Sequence, residues 1–159
     1  IVSANMENTR KHGRQYVLRL LAVRDRTSVE LVEKLRKKGF SEDIISSITA
    51  EMKDLGYVDD KKYAMNFAEF RATYSKFGPH RISLELRKRG IPKDVVENAV
   101  ESVFPEGREE ANALELANEW ISRRGRDEGE KTARRLYGYL ARRGFRPNVV
   151  RNTLSIVLK

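Results

Sequence analysis

The chain has 159 residues, of which 35% are charged and 40% are hydrophobic, and its net charge is +9. Few Gly and Pro accompany this high charge, which favours a folded protein with solvated helices over a disordered chain. The sequence contains no Cys, so disulfides and thiolate metal sites are excluded. The positive charge indicates an anionic partner, either nucleic acid or an acidic protein surface.

Helical periodicity dominates the chain, and no alternating strand pattern occurs. Val17, Leu20 and Leu21 mark a first helix. Farther along, four aromatic residues fall on one helical stripe at i, i+4, i+7 and i+11, namely Tyr63, Phe67, Phe70 and Tyr74. We expect this stripe, like Trp120 on a later helix, to face the core, and stacking on single-stranded bases is the alternative.

Capping residues mark the predicted helix starts. Thr27 with Glu30 forms a capping-box pattern, and side-chain oxygens at the other caps can accept free backbone N–H groups. Proline suits the first helical position because its φ is already helical. The start signals, in chain order, are Thr27, Ser41, Asp59, Pro92 and Pro147.

Three segments align with one another without a gap, at 31–49, 82–100 and 136–154. In each segment a Leu is followed nine residues later by an apolar pair, and the period is 51 and then 54 residues. Such self-similarity is the signature of tandem structural repeats. The sequence therefore predicts an all-α fold of three three-helix, helix-turn-helix-like repeats at 1–58, 59–107 and 108–159.

A basic stretch containing Gly occurs once in each repeat, as LRKKGF at 35–40, LRKRGI at 86–91 and LARRGF at 140–145. Helices often end on a Gly in the left-handed conformation, and the apolar residue after that Gly then packs on the Leu. The pattern therefore predicts three helix stops. The basic residues suit a helix C-terminus, whose dipole attracts cations, and they equally suit a row of sites for an anionic partner.

Residues that could carry catalysis or bind a metal are few. The two histidines, His12 and His80, lack the spacing of a metal motif, and neither a phosphate loop nor a dinucleotide fingerprint occurs. We therefore predict no enzymatic activity, no metal and no cofactor. No apolar run approaches the roughly 18 residues of a membrane helix and no signal peptide is visible, so we expect a cytoplasmic protein. Because the chain opens on Ile1, we expect it to be trimmed.

Two helices joined by a short turn containing Gly are also typical of DNA-binding helix-turn-helix proteins. In those proteins the second helix enters the major groove by its N-terminal end. In the first repeat that end carries Glu42 and Asp43, and only the third repeat, with Arg146 and Asn148, suits DNA. This distribution disfavours a threefold sequence-specific reader and leaves nonspecific electrostatic contact open.

Three segments, LLAVRDRTSVELVEKL at 20–35, LGYVDDKKYAMNFAEFRA at 55–72 and FGPHRISLELRKRGI at 77–91, resemble the RecX regulatory proteins of bacteria. The most specific pattern is Gly-Pro-x-Arg-Ile followed by Glu-Leu and a basic-Gly-Ile end. It is carried by Gly78, Pro79, Arg81, Ile82, Glu85, Leu86, Lys88, Gly90 and Ile91. The resemblance implies tandem three-helix repeats in an elongated, curved array. It is strongest in the first two repeats and reaches the third mainly through the internal repeat.

The resemblance also implies a function. RecX proteins bind the filament of the RecA recombinase on single-stranded DNA and inhibit its ATP hydrolysis, strand exchange and coprotease activity. We accordingly expect RecA, its filament and single-stranded DNA as partners, no membrane contact and a monomeric state. The residues expected to contact the partner are Arg71, Lys76, Arg81, Arg87, Lys88, Arg89, Arg134, Arg135, Arg142 and Arg143. The alternatives are a nonspecific DNA-binding module that acts without RecA and a structural adaptor for another acidic protein.

Overall fold

The computed structural model describes residues 2–125 and 129–159, and within these ranges the chain is helical and contains no strand. The helices, in chain order, are α1 (Val2–Val23), α2 (Ser28–Lys37), α3 (Glu42–Asp54), α4 (Asp60–Thr73), α5 (Pro79–Lys88), α6 (Lys93–Val103), α7 (Arg108–Arg124), α8 (Gly129–Arg142) and α9 (Pro147–Val157). The predicted all-α fold is confirmed. The predicted repeat limits at 1–58, 59–107 and 108–159 fall between helices and stay a prediction.

Helix starts follow the predicted caps closely. The side chains of Thr27, Ser41 and Asp59 each accept the backbone N–H three residues on, at 3.2, 3.4 and 3.0 Å. Pro147 occupies the first position of α9 as predicted, whereas α6 begins one residue after Pro92. These starts form where the sequence predicts because a cap satisfies donors within its own first turn.

Helix ends at the basic stretches are confirmed as left-handed glycine stops. Gly39, Gly90 and Gly144 have φ values of +88°, +79° and +94°. Phe40 N–H donates to the carbonyl of Leu35 at 3.3 Å, and the equivalent bond closes the third stop at the same distance. These hydrogen bonds satisfy carbonyls that the end of a helix leaves without a partner.

The described chain forms two compact units, and the first contains the residues up to Tyr63 together with Lys88–Pro92. Apolar faces of α1, α2 and α3 meet in its core. The buried residues there are Val17, Leu31, Leu35, Ile44, Ile45, Ile48, Met52 and Val58. Burying an aliphatic side chain of this size typically contributes about 1.5–3 kcal/mol, so this face holds the three helices together.

The second compact unit contains Ala64–Arg87 and Lys93–Lys159. Its main apolar cluster joins α7, α8 and α9 through buried Ala113, Leu116, Ala117, Trp120, Leu136, Leu140, Phe145, Val149, Val150 and Val157. The ring of Trp120 stacks on that of Tyr139 with centroids 6.4 Å apart. The prediction that Trp120 faces the core is therefore confirmed.

The prediction for the aromatic stripe on α4 is wrong for its last two members. Phe70 is 55% exposed and Tyr74 is 75% exposed, and their ring centroids lie 4.9 Å apart. The face that α4 buries is a second stripe of small residues, Ala64, Ala68 and Ala72. Small residues admit a close neighbour, and the side chain of Asn112 on α7 reaches the Ala72 carbonyl at 3.0 Å.

A buried carboxylate not anticipated from the sequence ties the start of α9 to α7. Glu109 is 1% exposed, and its carboxylate accepts the backbone N–H of Arg146 at 2.8 Å and the guanidinium of the same residue at 2.6 Å. The Arg146 side chain has no hydrogen-bond acceptor, so it cannot cap its own helix. The acceptor at the start of α9 is instead Glu109 on α7. The ion pair raises the pKa of the Arg146 guanidinium.

We expect Glu109→Gln to lower the free energy of unfolding by about 1–3 kcal/mol, because a charged acceptor is lost from a buried site. Urea unfolding followed by circular dichroism measures the change. Glu110→Gln is the matched control, since Glu110 is an exposed neighbour. Equal stability of the two variants would show that the buried carboxylate does not hold α9 in place.

Candidate partner-binding surface

Three of the ten predicted contact residues surround one buried ring in the second unit. The guanidinium carbons of Arg71, Arg81 and Arg143 lie 5.5, 3.7 and 4.7 Å from the centroid of Phe77. Glu85 pairs with Arg71 at 3.4 Å and with Arg81 at 3.3 Å. We name these five residues the Phe77 cluster. Cations over an aromatic face are attracted by its quadrupole, so the three arginines already have stabilising roles within the chain.

The third stop docks against the start of α5. Gly78 N–H donates to the carbonyl of Arg143 at 2.8 Å, and His80 N–H donates to the carbonyl of Gly144 at 3.0 Å. The Arg143 guanidinium in turn donates to the carbonyl of Ser75. A Cβ on Gly78 would overlap the backbone of Gly144, so the approach requires glycine. The contact explains why the Gly-Pro pattern of this segment has glycine at position 78.

The second stop docks in the same way within the first unit, against the start of α2. The Thr27 hydroxyl donates to the carbonyl of Arg89 at 3.0 Å. A Cβ on Gly90 would lie 2.7 Å from the Cβ of Val29, closer than side chains pack. In the repeat alignment Thr27 corresponds to Gly78, and Arg89 corresponds to Arg143. Two stops therefore act as docking elements as well as helix ends.

Lys76 is also engaged within the second unit. Its ammonium pairs with the Glu115 carboxylate at 2.9 Å, and its backbone is left-handed with φ of +52°. A partly exposed pair of this kind contributes little to stability, typically 0–1 kcal/mol, and an anionic partner can displace it. Arg87 on α5 is exposed.

Lys88 and Arg89 line an open groove of about 540 Å³ in the first unit, which we name the Lys88 groove. Glu30 and Glu33 also line it, so the groove has mixed charge. Burial by itself raises the pKa of Glu30, but hydrogen bonds from Arg24 and a neighbouring arginine outweigh it and hold the pKa below its ordinary value. Glu30 is therefore a carboxylate at neutral pH, and the groove is not a purely cationic site.

The remaining three predicted residues share a groove of about 510 Å³ between α7 and α8. It is lined by Trp120, Arg124, Arg134, Arg135, Gly138, Tyr139 and Arg142. We name it the arginine groove. Four of these described residues are arginines and none is acidic, and in the described part of the chain neither Arg134 nor Arg142 forms an ion pair. Guanidinium groups bind phosphate and carboxylate by paired N–H donors, so the groove suits an anionic ligand.

Helical spacing builds the arginine groove. Arg134, Gly138 and Arg142 lie four residues apart on one face of α8, and the Arg142 guanidinium lies over Gly138, where a Cβ would meet it at 3.0 Å. Arg124 was not among the predicted residues. It stands four residues after Trp120, and its guanidinium lies 5.4 Å from the centroid of that ring. The spacing of an arginine from an aromatic residue was the signal that could have identified it.

Within residues 2–125 and 129–159, His, Asp and Glu side chains form no group of three or more suited to a metal ion. None of the helices in the same ranges combines the length and apolar character needed to span a membrane.

Comparison with known proteins identifies the family. The profile described as "RecX, first three-helix domain" matches residues 14–51, and that described as "RecX, second three-helix domain" matches residues 59–100. The chain belongs to the RecX family. The regulatory protein RecX of Mycolicibacterium vanbaalenii is 33% identical over 151 residues, covering 89% of this chain and 82% of the relative. That of Mycobacterium sp. strain KMS is 30% identical over 155 residues, covering 95% and 84%.

A crystal structure of RecX from Lactobacillus salivarius resembles this fold with a TM-score of 0.88 at 25% identity, over 95% of this chain and 97% of that one. The resemblance of segments 20–35, 55–72 and 77–91 to RecX is thus confirmed. The first and second stops lie within the segments matched by the two RecX profiles, whereas the arginine groove lies outside them.

Proposed function

We propose that this RecX chain is a negative regulator of the RecA recombinase that acts without catalysis. It binds the RecA filament on single-stranded DNA and inhibits its ATPase, strand-exchange and coprotease activities. It does so in the cytoplasm and as a monomer. Membership of a family whose relatives carry the name regulatory protein supports this proposal.

The arginine groove is the surface that best supports the proposed contact with the filament. Arg134, Arg135 and Arg142 line it together with Arg124, and the described residues that line it include no carboxylate. Acidic side chains of a filament protein or phosphates of its DNA would bind the guanidinium groups of Arg134 and Arg142. Exposed Arg87 on α5 adds a further cation.

The other predicted contact residues differ in the interactions that they already form within the chain. Arg71, Arg81 and Arg143 hold the Phe77 cluster, so we assign them a positioning role. Lys76 is held by one exposed carboxylate, and Lys88 and Arg89 line the Lys88 groove together with Glu30 and Glu33. These three contribute less net positive potential to a partner than the arginine groove does.

A titration of RecA ATPase activity on single-stranded DNA tests the proposal. We expect ATP hydrolysis to fall progressively as this protein is added, because a regulator bound along the filament perturbs the protomers that hydrolyse ATP. Albumin at the same concentrations is the control for nonspecific effects. Unchanged hydrolysis at a molar excess over RecA would reject inhibition of the filament.

A direct DNA-binding module is the second candidate function. The arginine groove is lined by Trp120 and Tyr139 as well as by arginines, a combination that single-stranded nucleic acid binders use for phosphates and bases. The exposed rings of Phe70 and Tyr74 form a further aromatic pair. Binding to bare DNA as tight as binding to the filament would favour this candidate.

A further inference from the structure

Glycine loses more conformational freedom on folding than other residues, so most glycines of a fold have a structural reason. Six of the ten glycines here have a positive φ, which other residues rarely adopt. Gly78 lies against the third stop, and a Cβ on Gly13 in α1 would lie 2.6 Å from the Cδ1 atom of Ile48. Gly129 begins α8 and is not in its interior. Among the described residues this leaves Gly138, in the interior of α8.

The surroundings of Gly138 contain one group that a side chain there would displace. Apart from the backbone of α8, the described atoms within 4 Å of a Cβ at this position would be those of the Arg142 guanidinium, the nearer at 3.0 Å. Non-bonded heavy atoms are most favourable about 3.5–4.0 Å apart, so the guanidinium would have to move. The missing side chain therefore leaves room for Arg142, whereas that of Gly13 leaves room for a neighbouring helix.

The position of this guanidinium sets the geometry of the arginine groove. Side chains of an α-helix lean toward its N-terminus, and Arg142 lies back over Gly138 in this way. At about 1.5 Å per residue, the Cα of Arg142 is about 12 Å along the helix axis from that of Arg134, whereas Gly138 is about 6 Å from it. The Arg142 guanidinium therefore lies at the level of the turn next to Arg134.

We propose that Gly138 is a positioning residue for the filament contact, an inference that rests on the proposed function. It lets the Arg142 guanidinium lie one helical turn from Arg134, where both groups donate to one oxyanion of the RecA filament. Carboxylates and phosphates accept several charge-assisted hydrogen bonds, so two guanidinium groups can share either of them. Within residues 2–125 and 129–159 neither arginine forms an ion pair, so their donors are available to the filament.

Gly138→Ala and Gly138→Leu test the role of the missing side chain. Alanine and leucine are better helix formers than glycine, so we expect Gly138→Ala to raise the melting temperature by up to about 4 °C. We expect binding to a RecA filament on single-stranded DNA to weaken about threefold for alanine, which moves the guanidinium slightly. Leucine occupies the place of the guanidinium and should weaken binding at least about tenfold. A variant that is more stable yet binds more weakly is not expected of a glycine with a purely structural role.

The matched controls are Gly129→Ala and Gly129→Leu in the same helix. A Cβ on Gly129 would meet no described atom within 4 Å, so both controls should bind the filament like the unsubstituted protein. Fluorescence anisotropy of the labelled protein measures the affinity, and thermal unfolding followed by circular dichroism measures the stability.

A double-mutant cycle with Arg142→Ala separates positioning of the guanidinium from a direct clash with the filament. If Gly138 acts through Arg142, Gly138→Leu should cause little further loss of affinity once residue 142 is alanine. A further tenfold loss in that background would overturn the inference.

Undiminished filament binding by Gly138→Leu would also overturn the inference while leaving the proposed function standing. A lower melting temperature of Gly138→Ala would do the same, because it would give the glycine a role in folding. Failure of the unsubstituted protein to bind the filament would reject both. The same titrations on bare single-stranded DNA distinguish the two oxyanions, both of which support the inference. Loss confined to the filament indicates a carboxylate of the RecA protein, and loss on both ligands indicates a phosphate.

Discussion

Gly78→Ala is expected to lower the free energy of unfolding by at least about 2 kcal/mol, because adding atoms to a well-packed site typically costs about 1–3 kcal/mol. The added Cβ would overlap the backbone of Gly144 and Phe145, which is held by two hydrogen bonds and cannot retreat as a flexible side chain could. The φ of Gly78 lies outside the left-handed region, so alanine is conformationally allowed there. The loss would therefore come from the close contact alone. Thermal and urea unfolding measure it.

Gly129→Ala is the matched control for this substitution. Gly129 lies in the first turn of α8, and a Cβ there would meet nothing within 4 Å among the residues that the structure describes. Alanine is preferred to glycine in a helix by up to about 1 kcal/mol, so the control variant should be as stable as the unsubstituted protein or slightly more stable. A Gly78→Ala protein with undiminished stability would mean that the third stop does not dock on α5 as described.

Reversal of two charges in the arginine groove, with Arg134→Glu and Arg142→Glu, is expected to weaken inhibition of the RecA ATPase at least about tenfold. Both side chains are exposed, so their replacement should leave the fold intact. The reversal places two carboxylates among Arg124 and Arg135, which removes the attraction for an anionic partner and adds repulsion. The concentration for half-maximal inhibition, measured at two salt concentrations, reports the change.

A second double reversal controls for the change in net charge. Lys53→Glu with Arg151→Glu changes the net charge by the same amount at two exposed positions outside the arginine groove. We expect this protein to inhibit nearly as well as the unsubstituted one, since long-range effects are screened at physiological salt. Equal loss of inhibition in both double variants would show that total charge, and not the arginine groove, determines binding.

The helix boundaries could be predicted from the sequence because their causes are local. A cap such as Ser41 or a stop such as Gly39 acts within one helical turn, so its residues lie next to one another in the chain. The prediction that the aromatic stripe of α4 faces the core is wrong for Phe70 and Tyr74, because a stripe of alanines on the same helix is buried instead. The sequence does not show which face of α4 will meet Asn112, which is 40 residues from Ala72.

The sequence does not distinguish the roles of the individual basic residues, because those roles also depend on contacts between residues far apart in the chain. Arg142 and Arg143 are neighbours in one basic stretch, yet Arg143 lies over Phe77 and Arg142 lines the arginine groove. The role of Arg143 depends on contacts across 60 or more residues, such as that with Ser75, which the sequence does not show. Periodicity alone assigns both to the same cationic surface.

The most direct test of the account compares binding of this protein to a RecA filament and to the same single-stranded DNA without RecA. Fluorescence anisotropy at physiological salt, with the protein labelled and each partner titrated in turn, gives both affinities. Recognition of the filament predicts that binding to the filament is much tighter than binding to bare DNA and that the latter falls steeply with salt. Equal affinity for bare DNA and for the filament would contradict it and leave the direct DNA-binding module as the function of the arginine groove.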